Sequence, residues 1–461
     1  MDVLLALAHL LLCGYLILRM LGSNDVLDCQ LGVVAIFSTG YFVLPVLFQR
    51  LSNLDRFSNE EIFVALLMHT LFLIGVVAGT SFGRKQFRGA SAIHLRWIDR
   101  LLNRYRLLFG VAAFAIFVGY FSTQDLTSYA AADFEAYFRE RSPLYAIISA
   151  FSGLAVGLLS LLLAIAWRER NLGQLAVLGL MFGGVVVMSA GLGQRLIALA
   201  PIMMLLSALY MTRQRKRALR LLLFAIVSFL LFSPFAVYLR ELRTERSSIT
   251  GQGAISGYSV GENPLEKGLR SVIDRADLIY VTIRMKPHID SSPTPGLTYF
   301  SSVFLIPFPK LLIGEKPFLL STDGTMDTEL SVWAWSTLMG GTGSLTAFGG
   351  VVAYREGGWL WVPINGVLVG LLFAYLARRL GNGGTAMKWL YAVLFVVLSV
   401  KKVPPSLFEA LGELFGQLPF ILLLIGLNWM LVHPEKARSG VILRQRREGV
   451  ITDNEKPNSA V

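Results

Sequence analysis

Apolar residues run in long stretches along this chain, and polar residues gather in the gaps between them. Stretches such as LLALAHLLLCGYLIL and ELFGQLPFILLLIGLNWMLV suit a hydrocarbon core about 30 Å thick, which takes roughly 20 helical residues to cross. The alternation of a barrel strand is absent, and unpaired backbone in lipid is too costly for any open structure, so the spanning element is a helix. A sliding window places spans near 3–20, 31–48, 62–82, 107–121, 143–167, 174–190, 196–211, 221–238, 359–377, 389–400 and 414–432. The pattern predicts an all-α, polytopic integral membrane bundle of about 11–12 spans.

The gaps assign the sides. Segment 84–106 carries seven Lys/Arg against one acid, and 212–220 carries five against none. With the basic tail after His433, these fall on one side in this arrangement, and the positive-inside rule makes that side cytoplasmic. The opposite gaps include 239–358, far longer than the rest. Four regions follow: membrane helices over 1–238, a large periplasmic segment over 239–358, membrane helices over 359–432, and a basic cytoplasmic tail over 433–461, expected to be disordered. Within the large segment, FSSVFLIPFPKLLIG at 300–314 and LSVWAWSTLMGGTG at 330–343 are apolar but interrupted, as interfacial or re-entrant helices are.

Composition agrees: 54% of the 461 residues are hydrophobic and 16% charged. A net charge of +12 would suggest nucleic acid in a soluble chain, but basic residues in short gaps beside apolar spans mark topology and anionic lipid instead. Cys13 and Cys29 lie in or beside the first span without metal-ligand spacing, so neither a disulfide nor a metal framework is expected. Leu12 stands where a lipoprotein cleavage site needs a small residue, and the first span reads as uncleaved.

Five stretches offer chemistry. In SAGLGQRLIALAP at 189–201, Arg195 sits between two spans, where an Arg either pairs with an anion or snorkels to the headgroups. In YLRELRTERSS, Arg240, Arg243 and Arg246 recur at three-residue intervals beyond a span; guanidinium groups match phosphate oxygens, and a solvated helix end is the plain alternative. Segment 273–296 holds Asp274, Arg275, Asp277, Arg284, Lys286 and His288, cations for an anion beside a His that could take a hydroxyl proton. LSTDGTMDTEL at 320–330 holds Asp323, Asp327 and Glu329, whose carboxylates suit sugar hydroxyls but lack EF-hand spacing. Finally, GGTGSLTAFGGVVAYREGGW at 340–359 exposes backbone N–H groups without forming a nucleotide-binding loop.

These features resemble those of the Wzy-type oligosaccharide repeat-unit polymerases, including O-antigen and enterobacterial common antigen polymerases. The architecture is similar over most of the chain, and motif likeness runs from about 190 to 375. GLGQR with Arg195 resembles their G-G-x-R-like turn, and IPFPKLLIGEKP with Pro307, Pro309 and Pro317 their Pro-rich segment. Gly350 and Gly357 resemble the glycines of a late signature, in which Val351 replaces a frequent Glu and leaves Glu356 as a substitute.

The resemblance implies a class C-like, metal-independent glycosyltransferase without cofactor in the bacterial inner membrane. It would move a growing glycan from undecaprenyl diphosphate to the next lipid-linked repeat unit, on the periplasmic side. The implied partners are the undecaprenyl-diphosphate-linked oligosaccharide and membrane lipid, with room for a chain-length regulator protein and none for nucleic acid. Arg195, Arg240, Arg243, Arg275 and Arg284 become candidates for the diphosphate, and His288, Glu356, Asp327 and Glu329 for the base. Trp333, Trp335, Tyr354 and Arg355 become candidates for glycan contact, while Trp359 and Trp361 at a span's edge read as an interfacial belt. An O-antigen ligase would need nearly the same donor chemistry, and a transporter or flippase could use the same arginines; the large outer segment and the lack of repeats speak against the latter.

Overall fold

The computed structural model describes residues 1–49, 53–123, 143–191, 195–228, 278–291, 348–401 and 403–432. Helix α1, Asp2–Gly22, rises about 1.5 Å per residue and so crosses the hydrocarbon core once. Leu4, Leu11 and Leu18, seven residues apart, are 71, 76 and 69% exposed, while Ala6, His9, Cys13 and Leu16 face inward. A leucine row that open to water would be an aggregation patch; toward lipid it is the outer wall of a bundle.

Helix α2, Val26–Ser38, starts at an Asp25 cap and continues through a π-turn, Thr39–Val43, into Leu44–Leu47. Helix α3, Asn59–Gln86, opens on a capping box between Ser58 and Glu61 and closes on Arg84 and Lys85. The surface helix α4, Arg96–Arg104, meets α5, Arg106–Ser122, at 88°. Helices α6, Pro143–Glu169, α7, Leu172–Gly191, and α8, Arg195–Met211, follow. Residues 215–228 are also helical. Then come α9, Leu278–Ser291, α10, Gly349–Leu376, α11, Thr385–Val396, α12, Leu407–Gly416, and α13, Leu418–Val432. No strand occurs among the described residues.

Six of these helical stretches are long and apolar enough to cross a membrane, and counting two bent pairs as spans raises the number to eight. Two shorter apolar helices, Leu199–Met211 and Thr385–Val400, complete the set. Together they fall on ten of the eleven expected windows, and residues 221–228 of the other are helical. The chain is therefore a multi-pass helical membrane protein.

Among the described helices, α3 and α10 pack against each other most extensively, and glycine makes it possible. Gly75, Gly79 and Gly83 on α3 lie against Gly366, Gly370 and their neighbours on α10. A Cβ at Gly79 would strike the Val367 carbonyl, one at Gly370 would stand 2.7 Å from the Thr80 nitrogen, and one at Gly83 2.7 Å from the Ala374 Cβ. Lipid gives helices no hydrophobic reason to associate, so small residues that let backbones touch supply the contact through dispersion.

The expected cytoplasmic loops meet at one end of this pair. Asp28, almost fully buried, takes Arg19 Nε at 2.8 Å and also binds Arg84. Arg378 donates to the Arg88 carbonyl at 2.7 Å and Arg379 to that of Ser91 at 2.6 Å. Arg215 reaches the Gly22 carbonyl at 2.8 Å, and Arg217 that of Trp167 at 2.8 Å. The basic segments at 84–106 and 212–220 thus share one end; the tail from 433 lies outside the described residues.

Candidate functional site

The other end of α3 and α10 holds most of the described chemistry. Residues 349–356, expected to precede the span, form the first turns of α10 itself, and the helix breaks at Gly357 and Gly358. Gly358 has φ +72°, and Gly357 is also non-helical; the left-handed value is one a side chain would strain. A straight helix over Gly349–Gly381 would measure about 50 Å at 1.5 Å per residue, too long for the core. The break divides it into a half-helix, 349–356, and a spanning part.

Tyr354, on the half-helix, donates its hydroxyl to Asp290 of α9 at 2.8 Å. Lys286, one turn before Asp290, binds the same carboxylate at 2.6 Å, and its ammonium lies 5.5 Å from the centre of the Tyr354 ring. The hydrogen bond to Asp290 holds the Lys286 ammonium above its ordinary pKa, against the effect of burial. Burial alone would raise the Asp290 carboxyl, but its bonds to Lys286 and Tyr354 bring it below the usual carboxylate range. Both groups are therefore charged at neutral pH. Trp359 packs edge-on against Tyr354 at 5.3 Å.

Arg284, also on α9, stacks over Phe57 at 5.0 Å and Tyr280 at 5.9 Å. His288 follows it by one turn and so shares its face; it is half-buried, and Ser291 donates to its backbone carbonyl at 2.8 Å. Between α9 and the start of α3 lies a recess lined by the polar Ser58, Glu60, Glu61, Thr282 and Lys286 and the apolar Val64, Ala65 and Ile283.

Arg355 and Glu356 are buried, at 6% and 5% exposure. Glu356 Oε2 accepts from Trp361 Nε1 at 3.0 Å and Asn365 Nδ2 at 2.7 Å, and Oε1 accepts from Ser406 Oγ at 3.1 Å. Asn365 Oδ1 in turn accepts from the Leu407 backbone at 2.7 Å. Ser406 caps α12, its own box completed by Glu409. Trp361, read as an interfacial belt residue, thus turns its N–H to a buried carboxylate.

A further polar centre lies beneath, between α1, α2 and α3. His9 Nδ1 pairs with Thr70 Oγ1 at 2.9 Å and His69 Nε2 with Ser38 Oγ at 3.0 Å, with the rings 5.2 Å apart. Phe42 stacks on His69 at 3.4 Å, and Phe348, the residue before α10, meets it edge-on at 4.7 Å.

Of the candidates from sequence, Tyr354, Arg355 and Glu356 share the half-helix, with Arg284 and His288 on the neighbouring α9. Arg195 is the first residue of α8, and its side chain lies outside the described residues. Arg240, Arg243, Arg275, Asp327, Glu329, Trp333 and Trp335 also lie outside them. Among the described residues, no three His, Cys, Asp or Glu side chains converge as metal ligands would. Asp290, Asn365 and Ser406 escaped sequence reasoning. Asn365 had a legible signal, a lone amide in an apolar run, and Ser406 another, the S-x-x-E capping pattern; Asp290 had none.

A family profile for the O-antigen polysaccharide polymerase Wzy matches residues 2–256. No curated protein and no solved structure matches the chain. The match covers more than half of the sequence and takes in α1 to α8, including the GLGQR stretch that ends at Arg195; the late signature around α10 lies beyond it. With the multi-pass helical bundle, this establishes a polysaccharide polymerase of glycosyltransferase type: the chain belongs to the O-antigen polysaccharide polymerase Wzy family.

Proposed function

We propose that the protein lengthens a polysaccharide at the periplasmic face of the bacterial inner membrane, using undecaprenyl-diphosphate-linked glycan as donor and the next lipid-linked repeat unit as acceptor. The observation that carries this reading is the gathering of α9 and the half-helix of α10 at the end away from the basic loops. If the basic end is cytoplasmic, that cluster faces the compartment in which lipid-linked glycans are joined.

The transfer is a displacement at the anomeric carbon of the donor. A base takes the proton of the acceptor hydroxyl, the oxygen forms the new glycosidic bond, and the bond to diphosphate breaks with its electron pair leaving on undecaprenyl diphosphate. His288 is the base we favour among His288, Glu356, Asp327 and Glu329, because it is half-buried on α9 while both oxygens of Glu356 already accept hydrogen bonds. Charge developing on the diphosphate is the largest electrostatic demand, and fixed arginines meet it without metal or nucleotide. Arg195, Arg240, Arg243, Arg275 and Arg284 are proposed for that duty, and Tyr354, Arg355, Trp333 and Trp335 for the glycan. A class C-like, metal-independent enzyme follows, which a chain-length regulator could accompany.

The test uses purified protein in lipid vesicles with undecaprenyl-diphosphate-linked repeat units, a chelator and no nucleotide. A ladder of longer lipid-linked glycans is expected. Arg195→Ala should abolish it, and His288→Ala should slow it by about 10²–10⁴-fold, the usual contribution of a general base. Glycan movement without growth would overturn the reading in favour of a transporter, and transfer only to a lipid A core in favour of a ligase.

A further inference from the structure

Glu356 ends the half-helix at the point where α10 breaks. Among the described residues it takes donors from three places: Trp361 just past the break, Asn365 one turn further along, and Ser406 at the start of α12. Asn365 is itself tied to α12 through the Leu407 backbone. Glu356 is 5% exposed, and Asn365 and Ser406 are fully buried. A buried carboxylate with this many donors is fixed in place, and removing it would leave those donors unpaired. The other face of the same half-helix carries Tyr354, bonded to Asp290 and set against Lys286.

We propose that Glu356 is a positioning residue, a latch that fixes the break in α10 against α12 and so sets Tyr354 on the α9 cluster, with Asn365 and Ser406 as its essential partners. The proposal rests on the reading of that cluster as the site of glycan transfer. It assigns a role to two residues, Asn365 and Ser406, that carry no reactive chemistry of their own, and it removes Glu356 from acid–base duty.

The carboxamide of Gln separates a latch from a catalytic carboxylate. Its oxygen can accept from Trp361 and Asn365, and its NH₂ can donate to Ser406 Oγ, which has lone pairs for a further bond. The experiment measures elongation of undecaprenyl-diphosphate-linked repeat units, with its pH profile, alongside the indole N–H resonance of Trp361. Glu356→Gln should elongate within about twofold of the wild-type rate with its pH profile unchanged. Glu356→Ala should be slower by about 10²-fold, the scale of a 1 Å misplacement. Should Glu356→Ala fail to fold, Trp361→Phe, which removes one donor to Glu356 and leaves the α12 cap intact, should still slow turnover by about tenfold.

A Gln variant as slow as the Ala variant, or one that loses a limb of the pH profile, would overturn the proposal, because the negative charge itself would then be in use. If the wild-type protein does not elongate at all, the polymerase mechanism fails. The latch is then judged on the Trp361 resonance alone: loss of its hydrogen-bonded downfield position in Glu356→Ala but not in Glu356→Gln supports it, and retention of that position in Glu356→Ala, or its loss in both variants, overturns it.

Discussion

Asp290 shows how one side chain ties two distant parts of the chain together. It receives Lys286 from its own helix and Tyr354 from sixty-four positions later. Because its carboxyl is held below the usual range, its contribution to stability is present above the unfolded-state pKa and lost as pH falls through the folded one. Lys286 is raised, so its share is complete below its unfolded pKa and disappears only as pH rises through the folded value. The pair is therefore intact across neutrality. Both side chains are partly exposed, so Asp290→Asn should cost about 0.2–1 kcal/mol at neutral pH. Measured by denaturation against pH, that difference should vanish under strongly acidic conditions. Sequence showed Lys286 and Tyr354 as residues of suitable type; their shared carboxylate was invisible, because nothing in a linear pattern marks an acid as the partner of a tyrosine so far away.

At the scale of elements, the apolar windows located the helices, and they missed what joins them. The windows stop where apolarity stops, so the span beginning near Trp359 left out residues 349–356, whose helix is short and carries Arg355 and Glu356. The Glu356 carboxylate is satisfied by tertiary contacts with Asn365 and Ser406, and a hydropathy window cannot see such contacts. The G-x-x-x-G spacing at Gly75, Gly79 and Gly83, and again at Gly366 and Gly370, was present in the sequence as a packing signal. It predicts the sharpest element-scale outcome. Gly79→Leu puts a side chain where the Val367 carbonyl stands and should destabilise the protein by about 1–3 kcal/mol or more. Thermal unfolding in detergent should show the loss, while Gly14→Leu, on α1 with open space around it, should leave stability nearly unchanged.

For the whole molecule, charge in the short loops was enough to sort the ends. The basic segments at 84–106 and 212–220 do share one end, where Asp28, Arg84 and Arg379 bind their neighbours. The opposite end, with α9 and the half-helix of α10, could be reached from sequence only as a set of residue types, because the helix that brings Tyr354 to Asp290 had first to be folded. Glycan is extended at that end. The most direct measurement places a photo-crosslinking residue at Ser291, the exposed last residue of α9, or, separately, at Ser91, and irradiates during turnover with radiolabelled undecaprenyl-diphosphate-linked repeat units. Capture of the labelled glycan by the Ser291 probe and not by the Ser91 probe is expected; capture at Ser91 and none at Ser291 would contradict it.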